Sequence, residues 1–188
     1  MKETLIVNFF GPPGAGKSTA TAYVFSKLKM AEINAEIVTE YAKDKVWEDN
    51  SEVFNNYAYI FGKQSFRISR CYGKVDVILT DSPLPLSILY NDGKFLTENF
   101  NKSVMDVFNN YLNLNYLVKR VKKYNPVGRF QTEKESDELI KPLKNLLEER
   151  DITYTEITGD IQGYESVVND ILNIVNTQKG GVFDEYSS

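Results

Sequence analysis

Residues 11–18 read Gly11-Pro12-Pro13-Gly14-Ala15-Gly16-Lys17-Ser18, which matches the phosphate-binding pattern G-x-x-x-x-G-K-S. The apolar residues 5–10 precede this segment and predict a β-strand, and residues 19–28 space their apolar side chains as an α-helix does. A strand, a glycine-rich loop and a helix, in this order, form the context in which the pattern binds phosphate groups. The sequence therefore predicts a nucleotide-binding loop between the first strand and the first helix.

The residue types of this loop indicate how it would hold ATP. Its glycines allow backbone angles that a Cβ disfavours, so that N–H groups turn toward one anion, and the following helix adds the positive end of its dipole. Lys17 is expected to reach the β- and γ-phosphates, and the Ser18 hydroxyl to bind Mg²⁺. The predicted nucleotide-binding residues are Gly11, Pro13, Gly14, Ala15, Gly16, Lys17, Ser18 and Thr19.

The composition limits the kinds of chemistry that the chain can perform. Its 188 residues, 42 % of them hydrophobic, predict one domain with an ordinary core. With no histidine and one cysteine, an intramolecular disulfide is excluded, a structural zinc site is not expected, and any general base must be a carboxylate, lysine, tyrosine or water. The net charge of −4 disfavours a protein that coats nucleic acid, but it is compatible with a local basic patch.

Two acidic residues come at the ends of predicted strands. Residues 35–39 predict the second strand, which Glu40 follows, and residues 75–81 predict the third strand, with Asp81 at its carboxyl end. Because ligands of open α/β sheets bind at the carboxyl ends of parallel strands, both carboxylates are expected near the nucleotide. Asp81 is the candidate to bind Mg²⁺ together with Ser18. The alternatives are a solvated loop carboxylate at Glu40 and a turn or helix cap at Asp81.

Residues 51–70 predict a mostly helical segment rich in aromatic side chains, which we expect in the core rather than on a base-stacking surface. Gln64, Arg67 and Arg70 follow one another three residues apart, so they share one stripe of this helix. Such a stripe suits a polar or anionic substrate, which makes Gln64 and Arg67 candidate substrate-binding residues. A solvated helix face explains the same spacing.

A basic segment follows the fourth predicted strand, residues 111–118. No acidic residue interrupts residues 119–132, and the cations of this segment are Lys119, Arg120, Lys122, Lys123 and Arg129. A basic segment with proline and glycine at this place suits a lid that closes over transferring phosphates, with Arg120 and Arg129 stabilising the transition-state charge. The alternative is a solvated basic loop in an acidic protein.

The remaining sequence continues the alternation of strands and helices. Residues 97–110 predict a helix, the capping-box sequence at residues 132–135 starts another, residues 152–157 predict a fifth strand, and residues 167–175 a final amphipathic helix. The predicted fold is an α/β P-loop NTPase with a parallel sheet of about five strands, helices on both faces and a basic lid. We expect one domain over residues 1–177 and a flexible tail over residues 178–188.

These motifs resemble those of a known family. The segments that carry the resemblance are residues 11–19, Glu40, residues 61–64 and residues 75–83, and they are similar to small P-loop kinases of the nicotinamide-riboside-kinase-like AAA group. Within this group the chain most resembles phage kinases that phosphorylate 5-hydroxymethyluracil in DNA, over most of residues 4–175. The lid-like residues Arg120, Tyr124, Gly128 and Arg129 support this resemblance. One departure is that Asp81-Ser82-Pro83 stands where nucleoside kinases of this fold often carry Asp/Glu-Arg-Ser.

The resemblance implies the nucleoside/nucleotide kinase-like version of the fold and phosphate transfer from ATP to a hydroxyl group. Either Glu40 or Asp81 would orient or deprotonate the acceptor hydroxyl, and Gln64 would lie near the acceptor base. The catalytic residues would then be Lys17, Glu40, Asp81, Arg120 and Arg129.

Three functions stay open at this point. The first is an ATP-dependent kinase that acts on the 5-hydroxymethyl group of 5-hydroxymethyluracil in phage DNA. The second is a nucleoside or nucleoside-monophosphate kinase. The third is a P-loop ATPase switch that transfers phosphate only to water, which would require arginines from a partner or an oligomeric ring.

The expected setting of all three is the cytoplasm, which is that of the host cell if a phage encodes the chain. Short apolar runs, the lack of a signal-peptide pattern and the single cysteine favour this setting, and no membrane or obligate protein partner is expected.

Overall fold

The computed structural model describes residues 3–91, 93–127 and 131–181 of the chain. Five parallel strands form one sheet in the order β2-β3-β1-β4-β5. The strands are β1 (Leu5–Phe10), β2 (Ala35–Val38), β3 (Val77–Thr80), β4 (Leu112–Lys119) and β5 (Thr155–Thr158). The helices of the described residues are α1 (Lys17–Met30), α2 (Tyr41–Trp47), α3 (Tyr57–Ser69), α4 (Leu86–Leu89), α5 (Glu98–Asn109), α6 (Glu133–Glu138), α7 (Ile140–Glu149) and α8 (Ile161–Gly181), with a 3₁₀ turn at Ser51–Asn55.

Strand β1 is buried on both faces, because helices cover the sheet from both sides. Successive side chains of a strand point to opposite faces, so Val7 and Phe9 join one core while Ile6 and Phe10 join the other. The first core contains residues of α1 and α8, and the second contains residues of α3, α5 and α7. The predicted α/β P-loop NTPase fold is confirmed.

The loops that follow β1, β2 and β3 lie at the same edge of the sheet. Strand β1 pairs with β3 on one side and with β4 on the other, with Val7 opposite both Leu79 and Leu114. All pairings are parallel, so the segments that follow β1, β2 and β3 emerge at the same edge. The strands β2 and β3 lie on one side of β1, and β4 and β5 lie on the other side. Open α/β sheets bind ligands in the crevice where the strand order changes direction in this way, outside the carboxyl ends of the strands.

Local details differ from the sequence predictions at a few places. Two short helices, α2 and α4, were not predicted, because each has fewer than eight residues and little periodicity to recognise. The capping box at Thr132 is confirmed, but the helix that it starts is divided into α6 and α7 at Leu139. Helix α8 continues to Gly181, into the predicted tail, and residues 182–188 lie outside the described residues.

Within the described part of the chain, no helix combines the length and the apolar character that crossing a lipid bilayer requires.

Gly159, which follows β5, packs against the glycine-rich loop. A Cβ at this position would lie 2.4 Å from the carbonyl oxygen of Ala15 and 3.1 Å from that of Lys119. We therefore expect Gly159→Ala to lower the free energy of unfolding by about 1–3 kcal/mol, as overpacking does in other cores. Urea denaturation monitored by circular dichroism measures this change.

Gly62 provides the matched control, because a Cβ added there meets no atom within 4 Å. It lies inside α3, where alanine is favoured over glycine by up to about 1 kcal/mol. Gly62→Ala should therefore keep or raise the unfolding midpoint. Equal midpoints for the Gly159→Ala and Gly62→Ala variants would contradict the packing described here.

Candidate phosphate-transfer site

The loop between β1 and α1 has positive φ angles, which favour glycine, at three positions. Gly11 has a φ of 146°, Gly14 a φ of 79° and Gly16 a φ of 111°. A Cβ on Gly11 would lie 2.9 Å from the carbonyl oxygen of Val118, and one on Gly16 would lie 2.7 Å from the hydroxyl of Tyr164. Strand β4 and helix α8 therefore enclose the loop from outside, which holds its backbone in place.

Lys17 folds back over this loop. Its Nζ donates hydrogen bonds to the carbonyl oxygens of Gly11, at 2.8 Å, and Pro12, at 3.2 Å. The ammonium group is thus held at the rim of the glycine-rich turn. A cation at this point, together with the N-terminus of α1, forms an anion-binding site.

The hydroxyl of Ser18 and the carboxylate of Asp81 form the second part of the site. Ser18 Oγ donates a hydrogen bond of 2.5 Å to Asp81 Oδ2, and this bond joins the first turn of α1 to the end of β3. Asp81 is only 6 % exposed, and its Oδ1 has no hydrogen-bond partner among the described residues. A buried carboxylate oxygen without a donor, next to a hydroxyl, fits the oxygen ligands that Mg²⁺ prefers.

Glu40 lies across the site, at the end of β2, where it is the N-cap residue of α2. It lines the same cavity as Asp81 and is half-buried. Burial raises the pKa of Tyr90 and of Tyr57, and the charge of the Glu40 carboxylate raises both further. Both phenols therefore stay protonated at neutral pH near this carboxylate.

A cavity of about 450 Å³ connects these groups. Lys17, Ser18, Asp81 and Glu40 line its polar part. Its apolar wall comes from the 3₁₀ turn and from α2, α3 and α4, and consists of Val46, Phe54, Tyr57, Ile60, Leu86 and Tyr90. The rings of Tyr57 and Tyr90 stack with an interplanar angle of 15° and centroids 6.0 Å apart. This wall offers flat aromatic surface to a planar ligand.

Gln64 also lines the cavity, but its side chain is held by its neighbours. Its Oε1 accepts a hydrogen bond of 2.9 Å from the backbone N–H of Tyr41, and its Nε2 lies 3.5 Å from Thr80 Oγ1. Tyr41 follows Glu40 and Thr80 precedes Asp81, so Gln64 connects the two backbone segments that carry the candidate acids. These contacts give Gln64 a positioning role, and its predicted place near an acceptor base stays a prediction.

The two arginines that the structure describes among the predicted site residues do not line the cavity. Arg67 forms an ion pair of 2.5 Å with Asp44 and donates to the carbonyl oxygen of Thr39 at 3.1 Å. Arg120 forms ion pairs with Glu133, at 3.1 Å, and with Asp137 of α6. Both guanidinium groups are thus paired with carboxylates, and their roles toward substrate or phosphate stay predictions.

Arg129, the remaining predicted catalytic residue, lies outside the described residues.

Other residues of the site were not predicted from the sequence. Lys122 lines the cavity, and its Nζ donates to Thr19 Oγ1 at 3.2 Å. Buried Ser136 of α6 donates to the carbonyl oxygen of Pro13 at 2.7 Å, which fastens α6 to the glycine-rich loop. In the sequence, the basic residues 119–123 are the signal for Lys122, and the capping box at Thr132 is the signal for the helix that carries Ser136.

The prediction that the aromatic side chains of residues 51–70 lie in the core is wrong for Phe54 and Tyr57, which line the cavity. Polar and aromatic residues are mixed in this segment without a period that distinguishes a cavity wall from core.

Comparison with known families agrees with this geometry. A family model described as an AAA domain matches residues 6–163 of the chain. The matched region runs from β1 into α8, so it contains the glycine-rich loop, Glu40 and Asp81. A search of the curated proteins found no match.

The hydrogen bonds of Gln64 lead to a test of stability. Gln64→Met keeps a side chain of similar length but leaves the buried Tyr41 N–H without its acceptor, at a cost of about 1–3 kcal/mol. Urea denaturation should show a lower midpoint than that of the wild type.

Arg70→Met, an exposed position just after α3, is the control and should change the free energy of unfolding by less than about 0.5 kcal/mol. If both variants unfold at the wild-type midpoint, Gln64 does not hold the two segments together.

Proposed function

The chain belongs to the AAA domain family, and we propose that within it the protein is an ATP-dependent kinase. It transfers the γ-phosphate to a hydroxyl group of a nucleotide-type acceptor. The observation that carries this proposal is the single cavity in which the loop lysine, the Ser18–Asp81 pair, Glu40 and an aromatic wall meet. Hydrolysis by water needs no aromatic compartment, whereas a planar organic acceptor does.

In the proposed reaction, the glycine-rich loop and Lys17 bind the triphosphate, and Ser18 with Asp81 hold Mg²⁺. Bound Mg²⁺ neutralises negative charge on the phosphate oxygens. Lys17 and Lys122 add positive charge at the cavity wall, where they stabilise charge that develops during transfer. Most of the rate enhancement then comes from positioning and electrostatics, as in other phosphoryl transfers.

We assign the acceptor side of the reaction to Glu40. Asp81 already accepts the Ser18 hydroxyl, which suits a metal ligand, while Glu40 lines the cavity beside the aromatic wall. The acceptor oxygen attacks the γ-phosphorus and its proton passes to Glu40. The bond from the γ-phosphorus to the bridging oxygen breaks, and ADP leaves with that oxygen.

Arg120 and Arg129 are proposed to stabilise the transferring phosphate in a closed state. For Arg120 this requires an exchange of partners, because Glu133 and Asp137 now hold its guanidinium group. Phosphate oxygens are stronger competitors for arginine than exposed carboxylates, since they carry more charge. Nucleotide binding therefore supplies the free energy for this exchange.

The resemblance in the sequence suggests one specific acceptor, the 5-hydroxymethyl group of 5-hydroxymethyluracil in phage DNA. Its hydroxyl is a primary alcohol on a planar base, which suits Glu40 and the aromatic wall. A base in duplex DNA would have to be flipped out of the stack, at a cost of a few kcal/mol. The size of the cavity, about 450 Å³, favours a second candidate, a free nucleoside or nucleoside monophosphate.

The acceptor is identified by transfer of label from [γ-³²P]ATP to 5-hydroxymethyluracil DNA, unmodified DNA and free nucleosides or nucleoside monophosphates. Label in the modified DNA alone supports the first acceptor, and label only in the small molecules rejects it. Release of labelled phosphate that no acceptor stimulates would contradict the kinase proposal and favour an ATPase switch.

Lys17→Ala should abolish transfer to every acceptor, since it removes the cation of the phosphate-binding loop.

Single-turnover measurements separate the roles of the two acids. Glu40→Gln should lower the transfer rate about 10²–10⁴-fold at every Mg²⁺ concentration, as loss of a general base does. Asp81→Asn should instead raise the Mg²⁺ concentration that gives half-maximal rate. The assignment is wrong if Glu40→Gln is rescued by added Mg²⁺ while Asp81→Asn is not.

A further inference from the structure

The solvent face of α3 carries a stripe of aromatic and cationic side chains. Tyr59, Lys63, Phe66 and Arg70, which we call the α3 stripe, follow one another four, three and four residues apart and so share one helical face. Phe66 is 66 % exposed and Tyr59 is 44 % exposed. Helix α3 contains no acidic residue. The stripe is therefore both apolar and positively charged.

The cations of the α3 stripe are not neutralised within the described part of the chain. Neither Lys63 nor Arg70 forms an ion pair there, whereas neighbouring Arg67 is paired with Asp44. The Nζ of Lys63 lies 5.3 Å from the centre of the Tyr59 ring, and the Tyr59 hydroxyl is hydrogen-bonded to that of Tyr41 at 2.9 Å. The Tyr59 ring is thus held in place beside the positive charge of Lys63.

We propose that the α3 stripe binds single-stranded nucleic acid. Exposed aromatic rings stack on bases, and unpaired lysine and arginine side chains contact phosphates, which is how proteins hold single strands without reading their sequence. A duplex presents few base faces, so the exposed Phe66 ring favours a single strand.

A second copy of the chain is a less favourable occupant of the stripe. A symmetric dimer through this face would bring Lys63 and Arg70 of one copy close to the same cations of the other. No acidic residue of α3 would offset that repulsion. A polyanion instead carries charge opposite to that of Lys63 and Arg70. The four residues of the stripe span about 16 Å along the helix, so they offer several contacts to such a chain.

The stripe has a consequence for the acceptor, and this consequence rests on the proposed kinase function. Tyr57, Ile60 and Gln64 of the same helix line the cavity. The stripe lies on the opposite face of α3, about one helix diameter away, so a bound strand would have to continue past the end of this helix to bring a base to the cavity. The stripe would favour acceptors within a strand over free nucleosides, in line with a DNA-borne substrate.

Gly62 gives the sharpest test, because it lies one turn before Phe66 on α3 and a Cβ added there meets no atom within 4 Å. Gly62→Glu adds an acid to the stripe, Gly62→Lys adds a cation and Gly62→Gln is the neutral control of matched size. Binding of a fluorescein-labelled 20-nucleotide oligothymidylate is measured by fluorescence anisotropy at several salt concentrations. Thermal unfolding confirms that all three variants are folded.

Relative to Gly62→Gln, we expect the Kd to be at least about fivefold larger for Gly62→Glu and smaller for Gly62→Lys. The Kd of the acidic variant should also depend less steeply on the salt concentration. Phe66→Ala should weaken binding at least about fivefold through lost stacking. Equal Kd values for the three Gly62 variants, or no binding by the wild type, would overturn the proposal. So would a dimer in sedimentation that Gly62→Lys dissociates and Gly62→Glu strengthens, since the face would then serve self-association.

Failure of this proposal is distinguishable from failure of the kinase proposal. If the stripe is wrong but the kinase is right, labelled ATP still phosphorylates an acceptor at equal rates in the Gly62 variants. If the kinase is wrong but the stripe is right, oligothymidylate binding still follows the charge at residue 62 while no acceptor becomes labelled.

Discussion

The hydrogen bond from Ser18 to Asp81 is the contact on which the rest of the site depends. It joins the first turn of α1 to the end of β3 at 2.5 Å, across the loop that follows the central strand. Its formation requires β3 to lie beside β1, and the parallel strand order provides this. The other oxygen of this buried carboxylate has no hydrogen-bond partner among the described residues, and carboxylate oxygens are ligands that Mg²⁺ prefers.

The second half of the site is organised around α3. One face of this helix contributes Tyr57 and Ile60 to the cavity, and buried Gln64 links the segments that carry Glu40 and Asp81. The solvent face carries exposed Phe66 and the cations Lys63 and Arg70, which form no ion pair with the residues that the structure describes. A single helix thus separates a cavity with an aromatic wall from an exposed surface with aromatic and cationic side chains.

Local sequence signals predicted the strands, the glycine-rich loop and Asp81, because a turn that needs glycine and a buried apolar run are visible in a few neighbouring residues. Arg120 illustrates what local signals miss. Its basic run suggested a lid, yet the structure pairs it with Glu133 and Asp137, which lie on a helix beyond the run. The wall of Tyr57 and Tyr90 forms only when α3 and α4 pack, so spacing along the chain could not distinguish it from core.

The most direct test of the central claim is isothermal titration of the protein with ATP in the presence and absence of Mg²⁺. We expect one ATP per chain, bound more tightly with Mg²⁺, and we expect Asp81→Asn to lose that gain while it keeps Mg²⁺-free binding. Absence of measurable ATP binding by the wild type, or a gain from Mg²⁺ that Asp81→Asn retains in full, would contradict it.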